Sequence, residues 1–114
     1  MKHRWLLLAP MCWLLTACAS QTIYYWGDYS NTLHQYNKSP SEQSLERHRR
    51  ELERLIDQAE RREKQVPPGL FFELAMLEVK RGNSQRAKAL MQQEMDTYPE
   101  SSRMVLKAMA LIKD

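Results

Sequence analysis

The stretch PGLFFELAMLEVKRGNSQRAKALMQQEMDTYPES, residues 68–101, decides the fold. Its residues Leu70, Phe71, Leu74, Ala75 and Leu77 recur at helical spacing and stop at Arg81-Gly82. Gly82 can end a helix in the left-handed conformation, and Asn83 can cap the next one. The following segment presents Ala87, Leu90, Met91 and Met95 and stops before Tyr98-Pro99, since proline cannot continue an established helix. Strand signals are weak across this half of the chain. The expected fold class is therefore all-α.

Working outward, residues 99–112 predict a final helix with Met104, Val105, Ala108, Leu111 and Ile112 on one face. Upstream, Ser39-Pro40-Ser41-Glu42 predicts a helix start, with Ser39 as N-cap, Pro40 at the first helical position and Glu42 closing a capping box. The helix so begun is expected over residues 40–65, with Leu45, Leu52, Leu55, Ile56, Ala59 and Val66 as a narrow apolar seam. From Glu42 to Lys64 it carries seven acidic and seven basic residues. Opposite charges at Glu46/Arg50, Asp57/Arg61 and Glu60/Lys64 stand four apart, each pair contributing about 0.2–0.5 kcal/mol to a helix. Because the signs interleave, these charges predict a solvated face, and a membrane-surface or polyanion-binding role is the weaker alternative.

Residues 68–101 also resemble a single tetratricopeptide repeat. The 34-residue repeat has a bulky residue and then a Leu-small pair in its first helix, Gly at the turn, Ala in the second helix and Pro at its end. This chain supplies Phe71, Leu74, Ala75, Gly82, Ala87 and Pro99 at those positions and departs at Glu78 and Met91, where the repeat has aromatics. Small residues at 75 and 87 would let two antiparallel helices approach closely. One repeat cannot bury both of its faces, so the helices at 40–65 and 99–112 are expected to flank it. The alternative is a generic four-helix assembly. Repeats of this kind usually bind peptides or partner helices. The five methionines Met76, Met91, Met95, Met104 and Met109 suit core gap-filling first and an adaptable surface second.

The amino terminus gives an address. Lys2, His3 and Arg4 precede an apolar run from Trp5 to Leu15, interrupted by Pro10 and Cys12, and the run closes on Leu15-Thr16-Ala17-Cys18. This is signal-peptide anatomy, too short and too interrupted for the roughly 20 apolar residues of a spanning helix. The last four residues resemble a bacterial lipobox, and that resemblance implies that residues 1–17 are cleaved and Cys18 is acylated. Ala19, rather than Asp, after the cysteine implies onward sorting to the outer membrane, facing the periplasm. Cleavage would remove Cys12, so no disulfide could staple the mature chain. It would also remove Lys2 and Arg4, which lowers the 17 Lys+Arg to 15 against 14 Asp+Glu. A near-neutral chain lacks the basic excess of a nucleic-acid-binding protein.

Between the expected anchor and the first expected helix, residues 18–39 form an aromatic segment predicted to be irregular, followed by the helical domain at 40–114. Tyr24, Tyr25, Trp26, Tyr29 and Tyr36, with Leu33 and His34, give it too much apolar surface for a solvated tether. It could dock on its own domain, on a partner protein or at the lipid interface. The residues Tyr24-Tyr25-Trp26-Gly27-Asp28-Tyr29, Leu33, Tyr36, Lys38 and Pro40, together with the Pro67-Pro68-Gly69 turn, resemble the domain-of-unknown-function 4810 family of small proteobacterial lipoproteins. Family members commonly share gene neighbourhoods with a curli-secretion-like outer-membrane lipoprotein and a second small lipoprotein. The resemblance therefore implies an envelope protein partner without implying a reaction.

No catalytic or metal-binding constellation, cofactor site or small-molecule substrate is expected. Of His34 and His48, the latter reads as a solvated residue of the charged helix, and Leu52 stands where a second helical metal ligand would be needed. Asp28 after Gly27 suits a turn. The expected function is an outer-membrane-anchored interaction module, with Tyr24, Tyr25, Trp26, Tyr29 and Tyr36 as partner-binding residues; the alternative is a structural tether of the envelope with no specific partner. If Cys18 is the acylated residue, Cys18→Ser will abolish incorporation of labelled fatty acid and leave the precursor uncleaved. Unchanged labelling would contradict the assignment.

Overall fold

The computed structural model describes residues 23–113 and is all-helical. The expected signal segment 1–17 and the expected acylation position Cys18 lie outside the described residues. Helix α1 spans Tyr29–Lys38, α2 Glu42–Arg61, α3 Leu70–Lys80, α4 Ser84–Thr97 and α5 Ser102–Ala110, with a 3₁₀ turn at Pro99–Ser101 before α5. The helices pack in chain order, α1 on α2, α2 on α3, α3 on α4 and α4 on α5. Their shared core is built from Leu52, Leu55 and Ala59 of α2, Leu70, Phe71, Leu74 and Ala75 of α3, Ala87, Leu90 and Met91 of α4, and Val105 of α5. Ala75 and Ala87 are both fully buried, which gives the α3–α4 hairpin its close approach.

Three boundaries differ from the sequence expectation. The segment 18–39 is not irregular throughout, because α1 begins at Tyr29 behind Asp28. Its composition of Ser, Asn, Thr and His hides it, since a ten-residue helix of such residues depends on tertiary docking. The capping box falls two residues later than predicted. Ser39 is the C-cap of α1, its N–H already given to the Gln35 carbonyl, and Pro40 holds its predecessor in extended backbone. Ser41 therefore caps α2: its hydroxyl accepts the Ser44 N–H at 3.0 Å, and the Ser41 N–H donates to the Ser44 hydroxyl at 3.0 Å.

At its other end α2 stops at Arg61, four residues short of the predicted end. Glu63 turns left-handed at φ 54°, the Glu63 N–H donates to the Glu60 carbonyl, and the Lys64 N–H donates to the Ala59 carbonyl. This pair of bonds is a Schellman motif. The same motif closes α3, where Gly82 takes φ 83° and the Gly82 and Asn83 N–H groups reach the Val79 and Glu78 carbonyls. Asn83 holds the N-cap position of α4, but its side chain donates to Glu78 at 2.7 Å instead of capping. At the start of α3, Gly69 (φ 91°) donates its N–H to the Glu94 carboxylate of α4 at 2.8 Å, so α3 is capped by the helix that follows it.

The charged helix is not simply a solvated face. Its outer pairs Glu46–Arg50 and Asp57–Arg61 form as expected, at 3.2 and 3.0 Å. Arg49 and Glu51, however, are buried. Arg49 meets Glu46 at 2.6 Å, Glu53 at 3.0 Å and Glu78 of α3 at 3.5 Å, while Glu78 also takes Arg81, Arg86 of α4 and Asn83. Glu78 is 0% exposed, so three helices meet on one fully enclosed and fully partnered carboxylate. Burial alone would raise its pKa, but the Asn83 and Arg81 hydrogen bonds and the charge of Arg86 hold it below the usual carboxylate range. The Arg49 hydrogen bond pulls Glu46 down to about 2, and the Arg54 hydrogen bond lowers Glu51.

Depressed carboxyl pKa values mean that the unfolded chain takes up protons first. Stability is therefore complete above the ordinary value of 4.5 and is lost as pH falls from there toward about 2. A melting series followed by circular dichroism will show a flat Tm down to about pH 5 and a steep fall below it. In Glu78→Gln, which gives up this protonation step, the fall will be shallower from a lower starting Tm.

Candidate functional site

The aromatic segment is fixed to the domain at several points. The Gln65 N–H donates to the Ile23 carbonyl at 2.9 Å and the Tyr25 N–H to the Gln65 carbonyl at 3.0 Å, a single parallel bridge between the segment and the chain leaving α2. The Arg62 guanidinium lies 4.9 Å from the centre of the Tyr25 ring. Gly27 then turns at φ 50° against α2, and the Asp28 N–H donates to Glu51 Oε1 at 2.8 Å. A Cβ at residue 27 would stand 2.7 Å from that same Glu51 oxygen and 3.0 Å from the Arg54 guanidinium. Only glycine combines this backbone with this proximity. Glu51 and Arg54 face each other through two hydrogen bonds, at 2.9 and 2.7 Å.

Beyond the turn, α1 is clamped to α2 and α3 by one polar chain, buried at Thr32 and His48. Thr32 Oγ1 lies 2.8 Å from His48 Nδ1, His48 Nε2 lies 2.7 Å from Glu73 Oε1, and the Tyr29 hydroxyl donates to Glu73 Oε2 at 2.8 Å. The Tyr29 ring also stacks on His48 at 5.2 Å between centroids. His48 is 2% exposed, so its expected solvated position is corrected: it occupies the α2 seam between Leu45 and Leu52. Burial, and then the hydrogen bond and charge of Glu73, push the Tyr29 hydroxyl up to about 12.

Proton counting restricts this chain. The Thr32 hydroxyl stands 3.1 Å from the Tyr29 carbonyl, within reach for its one proton. If the proton goes there, Nδ1 must donate to Thr32 and the ring carries both hydrogens. If it goes to Nδ1, the ring is neutral and the Tyr29 carbonyl loses that bond. In both arrangements Nε2–H points at Glu73, so the α2–α3 contact survives and only the α1 contact is rearranged.

The five aromatic residues singled out in the sequence divide accordingly. Tyr25 and Tyr29 pack against the core, and Tyr24 and Tyr36 are half-buried. Trp26 is 45% exposed and leans on Tyr29 at 5.7 Å with a 54° tilt. A cleft of about 540 Å³ between α1 and α2 is lined by Asp28, Thr32, Glu46, Arg47, Arg50, Glu51 and Arg54, where carboxylates and guanidinium groups largely neutralise one another. Among the described residues, no group of three or more His, Cys, Asp or Glu side chains is arranged to hold a metal ion. No described helix is long and apolar enough to cross a membrane.

His48 and Glu73 had no motif to reveal them, but spacing could have found the histidine. Leu45, His48, Leu52, Leu55 and Ala59 follow alternating steps of three and four, the period of a buried helical stripe. His48→Phe will take one hydrogen-bond partner each from the Glu73 carboxylate and the Thr32 hydroxyl and cost about 2–3 kcal/mol, whereas Thr32→Val will cost about 1 kcal/mol. Urea unfolding checks both. Equal midpoints for wild type and His48→Phe would contradict the clamp.

Comparison with known proteins adds a family. No match was found among curated proteins or among solved structures. A family profile described as Domain of unknown function (DUF4810) matches residues 23–107, which takes in the aromatic segment, the polar clamp, the helical hairpin and most of α5. The chain therefore belongs to the DUF4810 family.

Proposed function

We propose that the chain is an outer-membrane-anchored periplasmic lipoprotein whose helical domain holds a protein partner in an envelope complex. The lipobox-like Leu15-Thr16-Ala17-Cys18 supports the anchor, and the tetratricopeptide-like match of α3 and α4 supports the binding role. The domain performs no reaction and needs no cofactor on this reading. Its partner is an envelope protein, with a curli-secretion-like outer-membrane lipoprotein as the first candidate.

One observation carries the proposal. In a stack where each helix packs on its neighbours, the terminal helix should present a polar outer face to water. Here α5 and the two residues after it bury Val105 fully and Ala108, Met109 and Ile112 partly, yet Met104 (50%), Leu106 (55%) and Leu111 (82%) are exposed on the two flanks of that buried side. At 3.6 residues per turn its apolar arc covers more than half of the helix, wider than α4 alone can cover. Exposed apolar side chains along both flanks of a terminal helix support an interaction role for it.

Pull-down of the mature lipoprotein from solubilised envelopes tests this. Met104→Glu with Leu106→Glu will weaken partner capture by about 2 kcal/mol, the size of an interface hot spot, while helicity stays unchanged. Equal recovery of the candidate partner by both proteins would contradict the role of α5. Recovery of no envelope protein even by the wild type would leave a structural tether as the function.

A further inference from the structure

We propose that Ile23 and Trp26 seat the domain on the bilayer itself, in the headgroup layer of the membrane that carries the anchor. This rests on the acylated Cys18 proposed above. Four residues, Ala19 to Thr22, separate Cys18 from Ile23. Five residue steps span at most about 18 Å. Ile23 in turn is tied to the end of α2, through the Gln65 N–H to its carbonyl and the Tyr25 N–H to the Gln65 carbonyl. A lipid on Cys18 thus holds this end of the folded domain beside the membrane surface.

Two apolar side chains are presented there. Ile23 is 60% and Trp26 45% exposed, whereas Tyr25 and Tyr29 are spent on Arg62, His48 and Glu73. Trp26 rests on the Tyr29 ring, so its indole stands on a fixed base. Tryptophan is enriched at membrane–water interfaces because its ring is apolar while its N–H still finds a polar partner. Charge contributes little, since Arg62 and Lys64 stand beside Glu63 and Arg54 is paired with Glu51. The contact is therefore mainly apolar and only weakly dependent on salt.

Residues 18–114 contain one tryptophan, so the fluorescence of the mature protein reports Trp26 alone. The lipoprotein purified from membranes is added to preformed vesicles of phosphatidylethanolamine with a minority of phosphatidylglycerol, and mass spectrometry of its N-terminal peptide reads whether Cys18 is acylated. In the acylated protein, Trp26 emission will shift to shorter wavelength, a phospholipid brominated near the headgroup will quench it strongly, and aqueous iodide will quench it several-fold less than in Ile23→Ser. Salt will change none of this. Free iodide quenching with no bromolipid effect, in a protein whose Cys18 carries acyl chains, overturns the seating while leaving the anchor standing. Shielding that arises only when the envelope partner is added overturns it in favour of a protein contact. A Cys18 peptide without acyl mass overturns the anchor, and the seating with it.

Discussion

The docking of α1 depends on one interaction, the contact of the buried His48 with Glu73. His48 belongs to α2 and Glu73 to α3, and from these two residues Thr32 and Tyr29 draw in α1. This ten-residue helix, half of it Ser, Asn, Thr and His, is too short and too poor in helix formers to hold its shape in water alone. It exists because the imidazole and the carboxylate give its Thr and Tyr hydroxyls partners. Once α1 is docked, Gly27 brings the chain down onto Glu51, and Tyr25 and Tyr29 are spent inside the molecule. Trp26 is left outside because the same geometry that buries its neighbours turns it outward.

The second constraint is charge enclosed between helices. Where the repeat-like reading of the sequence expects an aromatic residue, this chain has Glu78, and an aromatic at that place would fill space by itself. A carboxylate needs partners, which Arg49, Arg81, Arg86 and Asn83 provide from three elements. Losing one member of such a group costs more than the group contributes over a well-packed apolar substitute, because the remaining charges stay buried. The network therefore specifies how α2, α3 and α4 fit together more than it adds stability. Glu94 acts similarly on a smaller scale, with one oxygen on the Gly69 N–H and the Ser101 hydroxyl and the other enclosed without a partner.

Much of this architecture was legible in the sequence, and the exceptions share a cause. The hairpin was readable because Gly82, Ala75 and Ala87 are each required by local geometry. The end of α2 was not, since the same Schellman motif that Gly82 announces is built there on Glu63, a residue with no left-handed preference. The start of α2 was misplaced because Ser39 and Ser41 are chemically equivalent caps, and only the end of α1 decides between them. Local pattern makes His48, Arg49 and Glu51 read as solvated because their partners Thr32, Glu73, Glu78 and Asp28 are 16 or more residues away along the chain. Local pattern records which residues are apolar; it does not record which polar residues find partners inside.

The proposed anchored module rests on two of these features, a folded end tied a few residues from the expected lipid and a last helix with exposed apolar flanks. Its working premise is that α1 is a docked part of the domain and not a flexible leader. Native-state hydrogen exchange tests that premise most directly, because an isolated helix of this length would exchange its amides almost as fast as an unfolded peptide. The clamp predicts that the Leu33 to Lys38 amides are protected within reach of those of α3, and that His48→Phe removes the protection from α1 first. Exchange of the α1 amides at unfolded-chain rates in the wild-type protein would contradict it.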